Sequence, residues 1–191
     1  MRFALVAGML AIILGGPVVW HIQQKKTYRN FRIVEPGMLY RSGKLSRAGL
    51  DDIIRRFGIR TVVNFRAFES GDQPDPEEEA FCRERGIRYE RIVYRKWQSP
   101  DGGPIPGDRS VAEYCAVMDR RREIGPILIH CLAGKHRTGA FTAIHRMEYQ
   151  KWPNSLAIEE MQSQGYEGIA NEDDVRGYLE RYVPRERRLP R

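Results

Sequence analysis

Between residues 31 and 182, short apolar runs of strand length alternate with longer segments of helical periodicity, and this alternation restricts the possible folds more than any other feature of the chain. Phe31–Val34 and Leu39–Arg41 read as short strands joined by the turn Glu35-Pro36-Gly37. Thr61–Phe65, Tyr89–Tyr94 and Ile127–Ile129 read as further strands, the first and last apolar enough to be buried on both faces. Between and after them come predicted helices: Arg47–Phe57, capped by Ser46 and stopped by Gly58; a helix through Arg85, capped by Asp75 with Pro76 in its first turn; Arg109–Arg122, capped by Asp108; Arg137–Gln150; Leu156–Gln164; and Glu172–Tyr182. The pattern implies an α/β three-layer sandwich, a central and mainly parallel sheet flanked by helices. Ligands in such sheets bind outside the carboxyl ends of the strands, which directs attention to the segment after Ile129.

The chain has 191 residues, enough for one catalytic domain with a sizeable core and short appendages. Its three cysteines, Cys82, Cys115 and Cys131, are too few and too unevenly spaced for a disulfide framework. Cys82 and Cys115 fall in helical patterns and read as small packing groups. The net charge of +7 is carried by the ends. Arg2, Lys25, Lys26, Arg29 and Arg32 have no acid among them, and Arg181, Arg185, Arg187, Arg188 and Arg191 face Glu186 alone, leaving the middle slightly acidic. A nucleic-acid partner would call for the excess on the folded domain, so none is expected.

Phe3 to Trp20 is uncharged, and as a helix it would span about 27 Å, near the thickness of a bilayer. Residues 1–22 therefore read as an N-terminal transmembrane anchor. A cleaved secretory signal is the main competitor, but Pro17-Val18-Val19-Trp20 is too bulky for a cleavage site. With only Arg2 before the run and Lys25, Lys26, Arg29 and Arg32 after it, the positive-inside rule favours a single-pass membrane protein with its catalytic domain on the cytoplasmic side. The expected organisation is an anchor over 1–22, a linker over 23–30, a catalytic domain over 31–183 and a basic tail over 184–191.

Within Ile129-His130-Cys131-Leu132-Ala133-Gly134-Lys135-His136-Arg137-Thr138-Gly139, a cysteine ends a buried strand, five residues form a loop and an arginine opens a helix. Successive backbone N–H groups in such a loop converge on one anion, and the helix N-terminus adds partial positive charge. Gly134 permits the turn, and the Arg137 fork can hold two phosphate oxygens. The same field favours a thiolate, poised for in-line attack on phosphorus.

His130-Cys131-x5-Arg137-Thr138 resembles the signature of the cysteine-based protein tyrosine phosphatase superfamily. Leu39-Tyr40-Arg41-Ser42-Gly43 and Gly58-Ile59-Arg60-Thr61-Val62-Val63-Asn64-Phe65-Arg66 look like the opening of its compact dual-specificity branch, and Gly134-Lys135-His136-Arg137-Thr138-Gly139 is similar to the atypical plant, fungal and bacterial members. The resemblance covers roughly residues 31–170. It implies a phosphatase of phosphomonoesters working through a phosphocysteine, most readily on protein phosphotyrosine or dual-specificity substrates. A phosphoinositide or inositol polyphosphate is the alternative substrate, and a phosphate-binding pseudophosphatase scaffold the reading from another class. Carried over, Cys131 is the nucleophile. Arg137 and the amides of Leu132, Ala133, Gly134, Lys135, His136 and Arg137 bind phosphate, Thr138 assists the sulfur, and His130 orders the loop. An aspartate on an upstream loop supplies the general acid; Asp101, flanked by Gly102 and Gly103, fits better than Asp108, which reads as a helix cap. No cofactor is implied. No Cys-x-x-Cys or His-x3-His set suggests a metal, and the glycine and hydroxyl positions of a nucleotide P-loop are missing around Gly134-Lys135.

Overall fold

The computed structural model describes residues 27–67, 75–166, 168 and 173–188. Five strands form one sheet: β1 (Arg32–Glu35), β2 (Leu39–Ser42), β3 (Thr61–Asn64), β4 (Arg88–Arg91) and β5 (Ile127–His130), in the order β1-β2-β5-β3-β4. The hairpin β1–β2 is antiparallel, and every other pairing is parallel. Eight helices are described: α1 (Arg47–Phe57), α2 (Pro76–Glu84), α3 (Gly107–Asp119), α4 (Arg121–Ile124), α5 (His136–Tyr149), α6 (Asn154–Ser163), α7 (Asp173–Arg181) and α8 (Arg185–Arg188).

Strand alternation divides the core into two layers. On β3 and β5, Val63, Ile127 and Ile129 face a cluster with Tyr114 of α3, Phe141 and Ile144 of α5, and Leu179 of α7. Val62 and Leu128 point the opposite way, onto Leu50, Ile53 and Ile54 of α1 and Phe81 of α2. The central strand β5 is therefore covered on both faces, which is why its sequence lacks polar alternation. The expected α/β sandwich is what the chain forms.

The register assembles the site. Ser42 of β2 and Asn64 of β3 both pair with His130 of β5, so three strands end side by side. The residues that follow, Gly43, Phe65-Arg66 and Cys131, emerge at one edge.

Several local expectations need correction. Ser46 caps α1 by accepting from Gly49 N at 3.1 Å, as its sequence suggests. Asp75 does not cap α2; its carboxylate is taken by Lys44, Arg66 and Asn64. Asp108 does not cap α3, which starts at Gly107; it accepts instead from Tyr178 Oη at 2.7 Å. The helix expected over 109–122 breaks after Asp119 into α3 and α4, and the strand expected over 89–94 ends at Arg91. Arg185, within the basic tail assigned to 184–191, bonds both oxygens of Asp119 at 2.9 Å and Glu148 Oε2 at 3.1 Å.

The expected membrane anchor is also corrected. Among the described residues no helix is long and apolar enough to cross a membrane. The longest, α5, has 14 residues and spans about 21 Å, short of a hydrocarbon core of roughly 30 Å. Residues 1–22 lie outside the described residues, so the transmembrane helix and the single-pass membrane location have no support from the structure. Residues 68–74 of the acidic loop lie outside them too.

Candidate active site

Cys131 follows the last residue of β5, buried at 4% exposure. The loop from Cys131 to Lys135 wraps back over the sulfur, and α5 starts at His136. Its shape is imposed from outside. The carbonyl of Leu132 accepts from Lys44 N at 3.0 Å, that of Ala133 from Asn30 Nδ2 at 2.7 Å, and that of Gly134 from Arg41 Nη2 at 2.6 Å. In a trans peptide the N–H points opposite to the C=O. Three carbonyls held outward therefore turn the amides of residues 133–135 inward. Gly134 N–H demonstrates this, donating to Cys131 Sγ at 3.3 Å. Gly134 takes φ +73°, where a side chain would be strained.

Two guanidiniums bracket this loop. Arg137, in the first turn of α5, donates from Nη1 to Phe65 O at 3.2 Å and lies 4.3 Å from the Tyr94 ring centroid, which steadies its plane. Arg41 lies behind the loop at 1% exposure, with Nη1 on Gln164 Oε1 at 2.8 Å. Burial pulls Arg41 down to about 10, so it stays charged at neutral pH and its field reaches Cys131. Burial also lowers Arg137, opposed by the charges of Cys131 and Tyr94.

His130 is anchored from α2, its Nε2 2.8 Å from Glu78 Oε1 and its Nδ1 3.3 Å from Cys131 O. Glu78 is buried, which by itself would raise its carboxyl. The contacts with His130 and Tyr89 outweigh this and hold it below the usual range. Asn64 Nδ2 ties the same network to Asp75 at 3.1 Å, and Asp75 in turn grips Arg66. Thr138 is fully buried in α5, and its Oγ1 has no hydrogen-bond partner among the described residues.

A cavity of about 320 Å³ opens at this loop, lined by Arg66, Cys131, Leu132, Ala133, His136 and Arg137. Five of these were expected. Gly134 and Lys135 do not line it; the Lys135 side chain runs beside Gly165 instead. Neither Asp101 nor Asp108 lines it. Asp101 stands exposed in the 97–107 loop, whose base is closed by Gly107 N donating to Lys96 O at 2.8 Å over the buried Trp97 ring. Arg66, Arg41, Asn30 and Glu78 were not expected as site residues. Arg66 and Arg41 were within reach, because both lie at the carboxyl ends of strands.

A strand-loop-helix cradle that turns a backbone amide onto a cysteine sulfur and opens its helix with an arginine, at the carboxyl edge of a parallel sheet, is the arrangement of a cysteine-dependent phosphatase. The chain belongs to the tyrosine phosphatase family, whose family model matches residues 22–147. It is 28% identical over 186 residues to the dual specificity protein phosphatase TpbA of Pseudomonas aeruginosa, covering 92% of this chain and 76% of that protein. It is 33% identical over 135 residues to the inositol diphosphatase DSP3 of Arabidopsis thaliana, covering 70% of this chain and 61% of that one. The solved Siw14 catalytic core of S. cerevisiae shares the fold, with TM-score 0.64 at 21% identity over 84% of this chain and 88% of that one.

Proposed function

We propose that Cys131 Sγ attacks the phosphorus of a bound phosphomonoester, with the phosphate held by the inward amides and by Arg137. The ester oxygen leaves with a proton from Asp101, giving a phosphocysteine, and water then releases inorganic phosphate and restores the thiolate. Thr138 Oγ1, buried without another partner, assists the sulfur as leaving group, and His130 keeps the loop in register. Phosphotyrosine and related protein phosphates are the favoured substrates. The observation that carries this reading is the Gly134 N–H aimed at Cys131 Sγ. Such preorganised donors stabilise developing phosphoryl charge without reorganisation.

The test is hydrolysis of an aryl phosphate by the chain and by its Cys131→Ser, Arg137→Ala, Asp101→Ala and Asp108→Ala variants. The first two are expected to be inactive, and Asp101→Ala to lose roughly 10²-fold or more. A greater loss in Asp108→Ala than in Asp101→Ala would reassign the acid.

A second reading, an inositol polyphosphate substrate, is favoured by Arg66. Its side chain lines the cavity close enough for its charge to be felt by Arg137. That gives a second cation for a second phosphate. Turnover of phosphotyrosine peptides without turnover of inositol phosphates would remove this reading.

A further inference from the structure

Asn30 is far from the catalytic loop in sequence, yet its side-chain amide donates to Ala133 O at 2.7 Å. That carbonyl shares a peptide plane with Gly134 N–H, which donates to Cys131 Sγ at 3.3 Å. The two bonds lie on opposite sides of one amide. A donor on the carbonyl oxygen polarises the peptide and makes its N–H a stronger donor in turn.

The amide of Asn30 is aimed by a fixed turn. Asn30 has φ +51°, a left-handed conformation that Asn tolerates better than most residues. Its neighbours are pinned: Arg29 O accepts from Gly43 N at 2.7 Å, Phe31 N donates to Tyr28 O at 3.0 Å, and Tyr28 Oη donates to Asp52 at 2.7 Å. Gly49 lies so close that a methyl there would come within 2.3 Å of Thr27 O.

We propose that Asn30 is a positioning residue that acts through the Ala133–Gly134 peptide to stabilise negative charge on Cys131 Sγ. This rests on the reading of Cys131 as nucleophile. The charged and titratable groups around the sulfur come from several elements: Arg41 from β2, Arg66 after β3, Tyr94 after β4, His130 backed by Glu78, and His136 and Arg137 from the first turn of α5. All of them remain in an Asn30 variant, so a change there isolates the amide.

Two full-length variants test the proposal. Asn30→Gly keeps the left-handed backbone and removes the donor; Asn30→Asp keeps the size and replaces the donor with an acceptor. Iodoacetamide modification of Cys131 is followed by mass spectrometry across pH, beside thermal melting. Cys82 and Cys115 are buried, which pushes their thiols up to about 12 and about 11, so they do not compete. The pH midpoint of Cys131 alkylation is expected to rise by roughly half a unit or more in Asn30→Gly and further in Asn30→Asp. The acid limb of kcat/KM should move the same way. Alkylation with the wild-type pH dependence in both variants overturns the proposal, and so does a loss of activity that tracks lowered melting while the midpoint stays in place. Alkylation reads the sulfur itself, so this result is separable from hydrolysis by Cys131→Ser, which tests the nucleophile assignment.

Discussion

Gly43 and Gly134 meet with no space for a side chain between them: a methyl on Gly134 would stand 2.4 Å from Gly43 N, and one on Gly43 would stand 2.9 Å from the backbone of Ala133. Either alanine must push the loop after Cys131 away from the β2 edge. Misplacement of a reacting group by about 1 Å can cost roughly 10²-fold. Gly43→Ala is expected to lose activity of that order while still folding, and Gly134→Ala to lose more, because its φ of +73° adds strain. Steady-state kinetics on an aryl phosphate checks both, and a Gly43→Ala enzyme with the wild-type rate would refute the steric reading.

Glu78 is buried and shared by His130, Tyr89 and Asn64, the first two at 2.8 Å and the third at 3.3 Å. Glu78→Ala takes a buried partner from His130, from Asn64 and from the half-buried Tyr89 and should cost about 2–4 kcal/mol, measured by urea unfolding at neutral pH. The pH dependence follows from its depressed carboxyl. The native state binds the proton less readily than the unfolded chain, so the stabilisation is complete above the unfolded value near 4.5 and disappears as pH falls through the lower native value. The gap between wild type and Glu78→Gln should therefore close on acidification.

His145 is fully buried on α5, with Nε2 3.1 Å from Glu35 Oε2. Burial pushes it down to about 4 from an ordinary 6.5. Between those values the unfolded chain holds the proton and the native state does not. Stability therefore falls as pH drops through this window. His145→Gln should flatten that part of the stability curve, read from melting temperatures across the range. An unchanged slope would show that another group is responsible.

Arg66 is held in the cavity wall by Asp75. Arg66→Ala should reduce kcat/KM for a substrate with two neighbouring phosphates by about 10-fold or more, and change a simple aryl phosphate much less. Equal losses on both would mean that Arg66 supports the loop rather than a second anion. Asp75→Asn should reproduce part of the selective loss, since it loosens the grip on Arg66.

The chemistry-bearing loop was legible because it is local: strand end, cysteine, glycine and arginine lie within eleven consecutive residues, and each is specified by its neighbours. The strand and helix pattern was legible for the same reason, since Ile127–Ile129 carries its burial on both faces in its composition. What failed involved choice between partners. Asp75 and Asp108 both stand at helix starts and look like caps in the sequence, but a carboxylate that can reach Lys44 and Arg66, or a Tyr178 hydroxyl, from across the fold satisfies those instead. Asn30 and Glu78 gave no sequence signal, because their roles depend on strand register bringing residues about a hundred and about fifty positions away against them. The apolar run at the N-terminus suggested a membrane span on hydropathy alone, and none of the described helices provides one.

The three carbonyls of the loop after Cys131 are tied to Lys44, Asn30 and Arg41, all groups of the protein itself. The conformational entropy of shaping that cradle is thus surrendered once, when the chain folds, and not again at each turnover. On the proposed reading, a cradle so prepared holds the released inorganic phosphate by the same donors as the incoming ester, and competitive inhibition by inorganic phosphate is the expected result in steady-state kinetics.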